Sequence, residues 1–438
     1  MSSKLVERSL VVILLVIAGG IVLHAPLTVW LGTVWPAYEQ IIKAWKELLM
    51  GLAFVLLIVI AARQKMIGRF LSDRLIQLSL VYAGLHFIMI SIFHPFADGG
   101  LQAAGAGLLI DLRFVLYFVL VYCTVTLLPQ TRRAFIAVIA GGAMVVLGFA
   151  LLQLFVLPRD ILAHIGYSKQ TIAPYLTVDQ NPDYIRINST LRGPNPLGAY
   201  VVIVLSAVLA VAIKYGRKLE RRKVYALGGI ATAAGIVLGA SYSRSSLIGV
   251  LVAMVVTIGA VASVKARRRL AGIVFACVVV IAIILAIGRT NPVISNVIWH
   301  DNPTGGSQVD SNQGHAESLV DGTIRMLRQP LGGGVGSTGS ASLDGKQPLI
   351  VENQYLFIAH EIGWLGLALF IWLFVEIMRR LWQRRHGSLA LSVFASGCGL
   401  AVIGLLLPVW TDDTVSIIWW GLAAVAAGGA YTNARKNN

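Results

Sequence analysis

Read from its N-terminus, the chain alternates long apolar stretches with short polar punctuation that is mostly basic. A helix that crosses a bilayer needs roughly 20 mainly apolar residues. Twelve runs approach or meet that length: 9–31, 46–62, 75–93, 114–128, 134–157, 195–213, 224–242, 247–264, 270–288, 355–377, 388–410 and 414–432. The fourth is short unless Asp111 and Arg113 lie at its edge. The pattern predicts an all-α integral membrane protein with about twelve transmembrane helices in a single polytopic domain, 1–438. Two polar stretches are too long for turns, 159–192 and 289–351, and alternation places both on one side. Loops of that length are uncommon unless they bind something or are disordered. The second contains the breakers Asn291, Pro292, 301–306 and 332–334. It also has a helical pattern near Gln313–Arg328 bearing Leu319, Ile324 and Leu327. It therefore reads as an ordered, partly helical loop between helices 9 and 10. No inverted repeat of the transporter kind stands out.

Composition narrows the class. Hydrophobic residues make up 57% and charged residues 13%, against about a quarter charged in soluble proteins. That excludes a disordered chain, a disulfide-stapled domain and linked soluble domains. Cys123, Cys277 and Cys398 lie in apolar runs without CxxC or Cys/His spacing, which points to packing rather than metal binding. The net charge of +16 would suggest nucleic acid if the cations were pooled, but they are not. With the N-terminus inside, 24 of the 36 Lys and Arg fall in the inner connections, as the positive-inside rule requires. Both termini are expected in the cytoplasm, and anionic membrane lipids, not nucleic acid, are the expected partners of the basic loops. No A-x-A-like cleavage site follows a short apolar core, so the first run is expected to remain as a helix.

Charge at the outer boundary is costly unless it pairs or serves a site. Arg186 and Arg192 sit in Arg186-Ile-Asn-Ser-Thr-Leu-Arg192-Gly-Pro-Asn-Pro-Leu-Gly198. Pro194 and Pro196 suit a helix start, Asn195 suits its cap, and Gly193 permits close backbone approach. Two guanidiniums beside a helix N-terminus suit an anion such as a diphosphate. The alternative is a capped helix whose arginines snorkel to headgroups. Arg244, beside Ser243 in Ser241-Tyr-Ser-Arg-Ser-Ser246, is held in a turn too tight to carry it into water. It is expected to face the protein interior or a phosphate. The long loop closes with Gln329-Pro-Leu-Gly-Gly-Gly-Val-Gly-Ser-Thr-Gly339, and Val351-Glu352-Asn353-Gln354-Tyr355 opens the tenth helix. The glycines either shape a loop around a bulky ligand or are simply flexible. Glu352 is either an electrostatic helix cap or the base that deprotonates an acceptor hydroxyl.

Other conspicuous residues carry less. His360 and Glu361 fall inside a helix, and Trp364 occupies the place of the second His of HExxH, so that zinc motif is absent. His86 reads as a hydrogen-bonded core residue or cavity liner. Trp30, Trp35, Trp45, Trp410, Trp419 and Trp420 read as interfacial anchors or packing. No Walker A, Rossmann or aspartate-rich nucleotide-sugar motif is present, so an enzyme built on this chain would need a pre-activated substrate.

Taken in order, several of these motifs resemble the O-antigen ligase and O-antigen polymerase superfamily. They are Arg186-x-x-Ser-Thr-x-x-x-Pro-Asn-x-Leu-Gly, the Ser243-Arg244 turn, Pro330-Leu-Gly-x-Gly-x-Gly336 and Glu352-Asn-x-Tyr-Leu-x4-Glu361-x-Gly-x-Leu-Gly366. The resemblance covers the chain from about residue 110 onward. It implies a bacterial inner-membrane glycosyltransferase of the C type that works without metal or other cofactor. Such an enzyme moves a glycan from an undecaprenyl-diphosphate carrier to a glycan or lipid A-core hydroxyl on the periplasmic side. Carried over, Arg186 and Arg244 would hold the diphosphate as it leaves, helped by Arg192. Glu352 would be the catalytic base, with Asn195, Ser243, Asn353 and Tyr355 lining the substrate. One departure stands out: where the lipopolysaccharide-ligase branch commonly has a histidine, this chain has Glu352. That tilts the expectation toward a polymerase, with a ligase as the alternative. A transporter or flippase remains the rival class, but it should place charge near helix centres and break helices at the midplane. Here the ionisable residues are expected at the outer boundary, with Asp111 and Glu361 the main candidates for greater depth.

Overall fold

The computed structural model describes residues 3–93, 100–299, 301, 311–344 and 348–428. Residues 302–306 of the expected breaker, residues 429–432 of the last expected run and the basic Arg435 and Lys436 lie outside them. The principal helices are α1 (Ser3–Gly20), α2 (His24–Val34), α3 (Trp45–Arg63), α4 (Arg74–Phe93), α5 (Gly100–Leu127) and α6 (Arg132–Phe155). A two-stranded antiparallel hairpin follows, β1 (Leu176–Val178) and β2 (Asn181–Arg186). Then come α7 (Pro194–Tyr215), α8 (Arg221–Ala240), α9 (Arg244–Val261), α10 (Val264–Ile287), α11 (Ser311–Arg328), α12 (Gln354–Gln383), α13 (Ser388–Ile403) and α14 (Asp413–Ala427). Among the described residues, ten helical segments are long and apolar enough to cross a membrane, with α1 and α2 forming one of them. The protein is an all-α integral membrane protein. The last two of the twelve expected spans, α13 and α14, are shorter, 16 and 15 residues.

The helices belong to two compact units. The first comprises 1–145, 318–384 and 404–438. Its core is α14, in which every residue from Thr414 to Ala427 is buried. Trp410, Trp419 and Trp420 are each at most 1% exposed and make tilted, edge-on or stacked contacts with Phe114, Phe118, Phe370 and Phe374. The tryptophan reading therefore divides, because these three pack while Trp30 and Trp35 are exposed. The second unit comprises 146–317 and 385–403, with α7, α9 and α13 at its centre. The crossing of α9 and α13 is close because Gly249 and Gly399 meet there, and a Cβ on Gly399 would collide with the Gly249 carbonyl.

Two expectations change. α5 does not begin after Arg113 but at Gly100, and Asp111 and Arg113 are buried within its 28 residues. Hydropathy alone puts such a polar pair at a helix edge, because it cannot register partners supplied from elsewhere in the sequence. Charge is accordingly not confined to the helix boundaries. Arg113 binds the Asp413 carboxylate, which also has Lys46 Nζ at 3.3 Å and His24 Nε2 at 3.3 Å. Such a cluster survives burial because each ion has a counterion and hydrogen bonds.

Candidate functional site

Within the second unit, the expected arginine motif is folded as a buried strap. Ile187 to Leu191 are all buried. The Ser189 N–H donates to Gln153 Oε1 at 2.9 Å, and its hydroxyl donates to the Val146 carbonyl at 2.7 Å. Gln153 also donates to Asn188 Oδ1 at 3.2 Å, which fastens the strap to α6. Ser189 adopts φ 52°, a left-handed conformation that turns the chain from β2 toward α7.

Arg186, at the end of β2, donates from Nε to the Ser241 carbonyl at 2.9 Å and from Nη2 to Asn195 Oδ1 at 2.6 Å. Asn195 is therefore not the cap of α7. Gly193 holds that position in extended conformation with Pro194 as the first helical residue, which leaves the Asn195 carboxamide available to orient Arg186. Arg244 is the first residue of α9 and donates to the Ile298 carbonyl at 2.6 Å. Ile298 lies in the second long polar stretch, 289–351, whose sequence marks breakers and a helix but no partner for Arg244. Ser243 shares hydrogen bonds with Ser246 at 2.8 Å and Ser245 at 3.3 Å. The first turns of α7 and α9 touch, since a Cβ on Gly198 would lie 2.5 Å from Ser246 Oγ. Arg192, by contrast, is exposed.

Two helix N-termini and two guanidiniums thus concentrate positive potential in one unit. The Arg186 guanidinium is pulled down to about 10 by burial and then by the Arg244 charge, with Asp179 acting in the opposite sense. It is still protonated at neutral pH, and burial beside a like charge makes that protonated state costly. Such a place gains free energy by accepting an anion.

Within the first unit lie the other expected residues. Asn353, not Glu352, caps α12: its Oδ1 accepts from the Tyr355 and Leu356 N–H groups at 2.9 and 3.0 Å, and its Nδ2 donates to the Leu405 carbonyl at 2.7 Å. Glu352 precedes the cap, is half-buried, and its N–H donates to Ser318 Oγ at 3.2 Å. Tyr355 is half-buried on the first turn. Ile362 and Gly363 break α12, with Gly363 at φ 71°. The glycine-rich loop is seated against this break and is not a free tether. The Gly333 N–H donates to the His360 carbonyl at 2.6 Å, and the Trp364 N–H donates to the Pro330 carbonyl at 2.9 Å. Gly336, at φ 84°, lies so close to the Ala103 carbonyl that no Cβ fits.

Glu361, a candidate for depth whose partner the sequence does not show, holds this loop by accepting from the Gly336 and Thr338 N–H groups. A carboxylate 25 residues beyond a glycine run gives no local signal of that contact. His86 is a core residue, as expected: it is fully buried, its Nδ1 lies 2.9 Å from the Tyr82 carbonyl, and its Nε2 lies 3.6 Å from Asp111. Among the described residues, no group of three or more His, Cys, Asp or Glu side chains could hold a metal ion.

Against this geometry, comparison with known proteins gives one positive finding. Residues 229–371 match the O-antigen ligase family model. The match is consistent with the O-antigen ligase and polymerase superfamily. It includes Ser243, Arg244, the glycine-rich loop, Glu352, Asn353, Tyr355 and Glu361, whereas Arg186, Arg192 and Asn195 precede it. No curated protein matches the chain. The O-antigen ligase match supports an enzyme of the glycosyltransferase type acting in a membrane, with a lipid-linked glycan among its substrates.

Proposed function

We propose that this protein transfers a glycan from an undecaprenyl-diphosphate carrier to an acceptor hydroxyl at the periplasmic face of the bacterial inner membrane, with both termini in the cytoplasm. The acceptor is a second carrier-linked glycan, so the activity is that of a polymerase. The observation that carries this reading is the pair Arg186 and Arg244 at the touching first turns of α7 and α9, where burial and the nearby Arg244 charge make the Arg186 cation costly. In the reaction the acceptor oxygen forms a bond to the anomeric carbon while the bond from that carbon to the carrier diphosphate breaks. Negative charge grows on the leaving diphosphate, and preorganised guanidiniums stabilise charge that develops in the transition state. Asn195 orients Arg186, Ser243 shapes the turn beneath Arg244, and the exposed Arg192 assists donor capture. The acceptor proton passes to Glu352, and Asn353 and Tyr355 form the start of the helix that presents it. No metal is required, because the diphosphate carrier already activates the sugar.

Reconstitution with a carrier-linked oligosaccharide, without nucleotide sugar or metal and with or without lipid A-core, tests the proposal. Longer carrier-linked glycan without lipid A-core is the expected product. Glycan appearing only on lipid A-core would make the protein a ligase, with Glu352 in the place where that branch commonly has histidine. Glu352→Gln is expected to lower turnover more than donor binding, and equal loss of both would reject it as the base.

A second reading has support of its own. Asp111 and Arg113 near the middle of α5, together with the broken α12, are features of proton-coupled transporters. Arg113 is neutralised by Asp413, and the break in α12 is filled by the glycine-rich loop, so both features have structural employment. Movement of labelled carrier lipid across the bilayer without glycan transfer would nonetheless favour the transporter.

A further inference from the structure

From Ser318 to Arg328, α11 presents three distinct faces. One is fixed to the protein: Ser318 Oγ accepts from the Glu352 N–H at 3.2 Å, Gly322 packs against Leu356 and Val351, and the Met326 carbonyl accepts from the Trp364 indole at 2.7 Å. These three residues recur every four positions and so share one side of the helix. At 100° per residue, Val320, Ile324 and Leu327 fall on the opposite side, and they are 58%, 41% and 60% exposed. A third strip, also exposed, holds Asp321, Arg325 and Arg328. A helix bathed in water on its outer side has no use for a second apolar stripe.

What adjoins this stripe identifies its partner. Trp364 opens the longer part of α12 and is 48% exposed. Leu365, Ile371, Trp372 and Val375 continue along the same side, each at least 43% exposed, which is the lipid-facing strip of a membrane-crossing helix. The Met326 carbonyl is bonded to the first residue of that strip. The helix that bears the outward apolar stripe is thus bonded to the point where the lipid-facing strip of α12 begins. Tryptophan is enriched where such a surface meets the headgroups.

We infer that α11 is an interfacial helix that lies along the membrane–water boundary, with Val320, Ile324 and Leu327 in the outer acyl region of one leaflet. Arg325 and Arg328 meet anionic lipid phosphates, and Asp321 lies on the aqueous side. A three-faced helix of this kind binds through apolar burial and attraction to anionic headgroups together. Because Ser318 holds the Glu352 N–H, this membrane-seated helix is also tied to the residue that precedes the α12 cap. The inference needs no assumption about the activity.

The test uses the full chain with its three cysteines replaced by serine and single cysteines introduced in turn from 318 to 328. Each is nitroxide-labelled and reconstituted in vesicles of phosphatidylethanolamine and phosphatidylglycerol. Collisional access to oxygen and to a water-soluble nickel chelate is then read at every position. At 320, 324 and 327 the oxygen-to-nickel ratio is expected to match that of a label at Leu365. At 321, 325 and 328 the ratio is expected to invert. High nickel access at 320, 324 and 327 would place the stripe in water, and low access to both reagents would place it against protein; either overturns the inference. Should the cysteine-free chain not assemble, a benzophenone amino acid at position 324 of the otherwise native chain is expected to capture phospholipid. Capture of a second copy of the chain, or no lipid adduct, would overturn it.

Discussion

Cations are withdrawn from water in both compact units, Lys46 and Arg113 buried in the first and Arg186 and Arg244 half-buried in the second, and the two units treat them differently. In the first, burial comes with acids. Lys46, only 3% exposed, lies 3.2 Å from Glu47 and 3.3 Å from Asp413. Arg113 binds Asp413, and Arg380 reaches Asp73 at 2.8 Å, Glu376 at 3.4 Å and the Tyr122 hydroxyl at 2.7 Å. In the second unit, Arg186 spends its two hydrogen bonds on neutral oxygens, those of Ser241 and Asn195, with the Arg244 charge close by. The contrast separates charge that holds helices together from charge held ready for something else. A buried ion pair is largely satisfied by its partner, whereas a cation such as Arg186, hydrogen-bonded to neutral oxygens beside a like charge, stays costly and gains from a bound anion.

The largest expected effect lies on the paired side. Asp413→Ala removes one carboxylate from Arg113, Lys46 and His24 together, and stranding buried charge costs about 3–5 kcal/mol. The expected result is loss of monodisperse protein on size exclusion after extraction. A well-folded variant that merely lost transfer would show this cluster to be a working site and dissolve the contrast. On the other side, Arg186→Ala and Arg244→Ala should leave folding intact while transfer falls on the order of 10²–10³-fold, as for loss of one transition-state donor. Relief of repulsion should hold the thermal midpoint level or raise it, and a marked drop would mean that these arginines are structural. Arg186→Lys keeps the charge without the planar fork, so a smaller but clear loss of turnover is expected in the same assay.

The smallest effects come from pH, and they separate the units further. Affinity for a diphosphate diester, whose own charge is constant over this range, needs the protonated Arg186 guanidinium, so it should be flat through neutrality and weaken as pH rises through about 10. Burial pushes the Asp73 carboxyl up, but hydrogen bonds from Arg380 and Tyr122 outweigh that and hold it below its ordinary value. Its contribution to stability is therefore present above the unfolded aspartate value of about 3.9 and fades as pH falls through the lower folded value. Calorimetry on the acid limb and titration calorimetry on the alkaline limb read the two separately.

Much of this was legible along the chain, because a bilayer forces its helices to announce themselves by length and hydropathy. All twelve runs correspond to helices, and the helix over Gln313–Arg328 is present as α11. What stayed hidden depends on partners distant in sequence. The hairpin of β1 and β2 is too short to impose a readable alternation. Asp111 and Arg113 looked like a helix edge because His86 and Asp413 lie far away in the chain. Arg186, Arg244 and Ser243 stood out because charge and hydroxyls are scarce at such boundaries. The bonds of Glu361 to the glycine-rich loop, 23 and 25 residues away, leave no local trace, and Asn195, nine residues from Arg186 in the same motif, reads equally as a helix cap.

The wholly buried α14 has a consequence for how the protein is made. Its 15 residues rise only about 22 Å, less than the ~30 Å hydrocarbon core, and they form the centre of the first unit. They also leave the ribosome well after α5, which ends at Leu127, whereas α14 begins only at Asp413. At about 5–20 residues per second, α1 to α5 wait in the bilayer for tens of seconds before the helix that fills their middle exists. For that interval Arg113 and Lys46 have no Asp413, and the aromatic rings of α5 have no tryptophans to pack against. Completion of the first unit is thus a late, post-insertional event, and a chain that stops short of residue 413 is one that cellular quality control should recognise as unfinished.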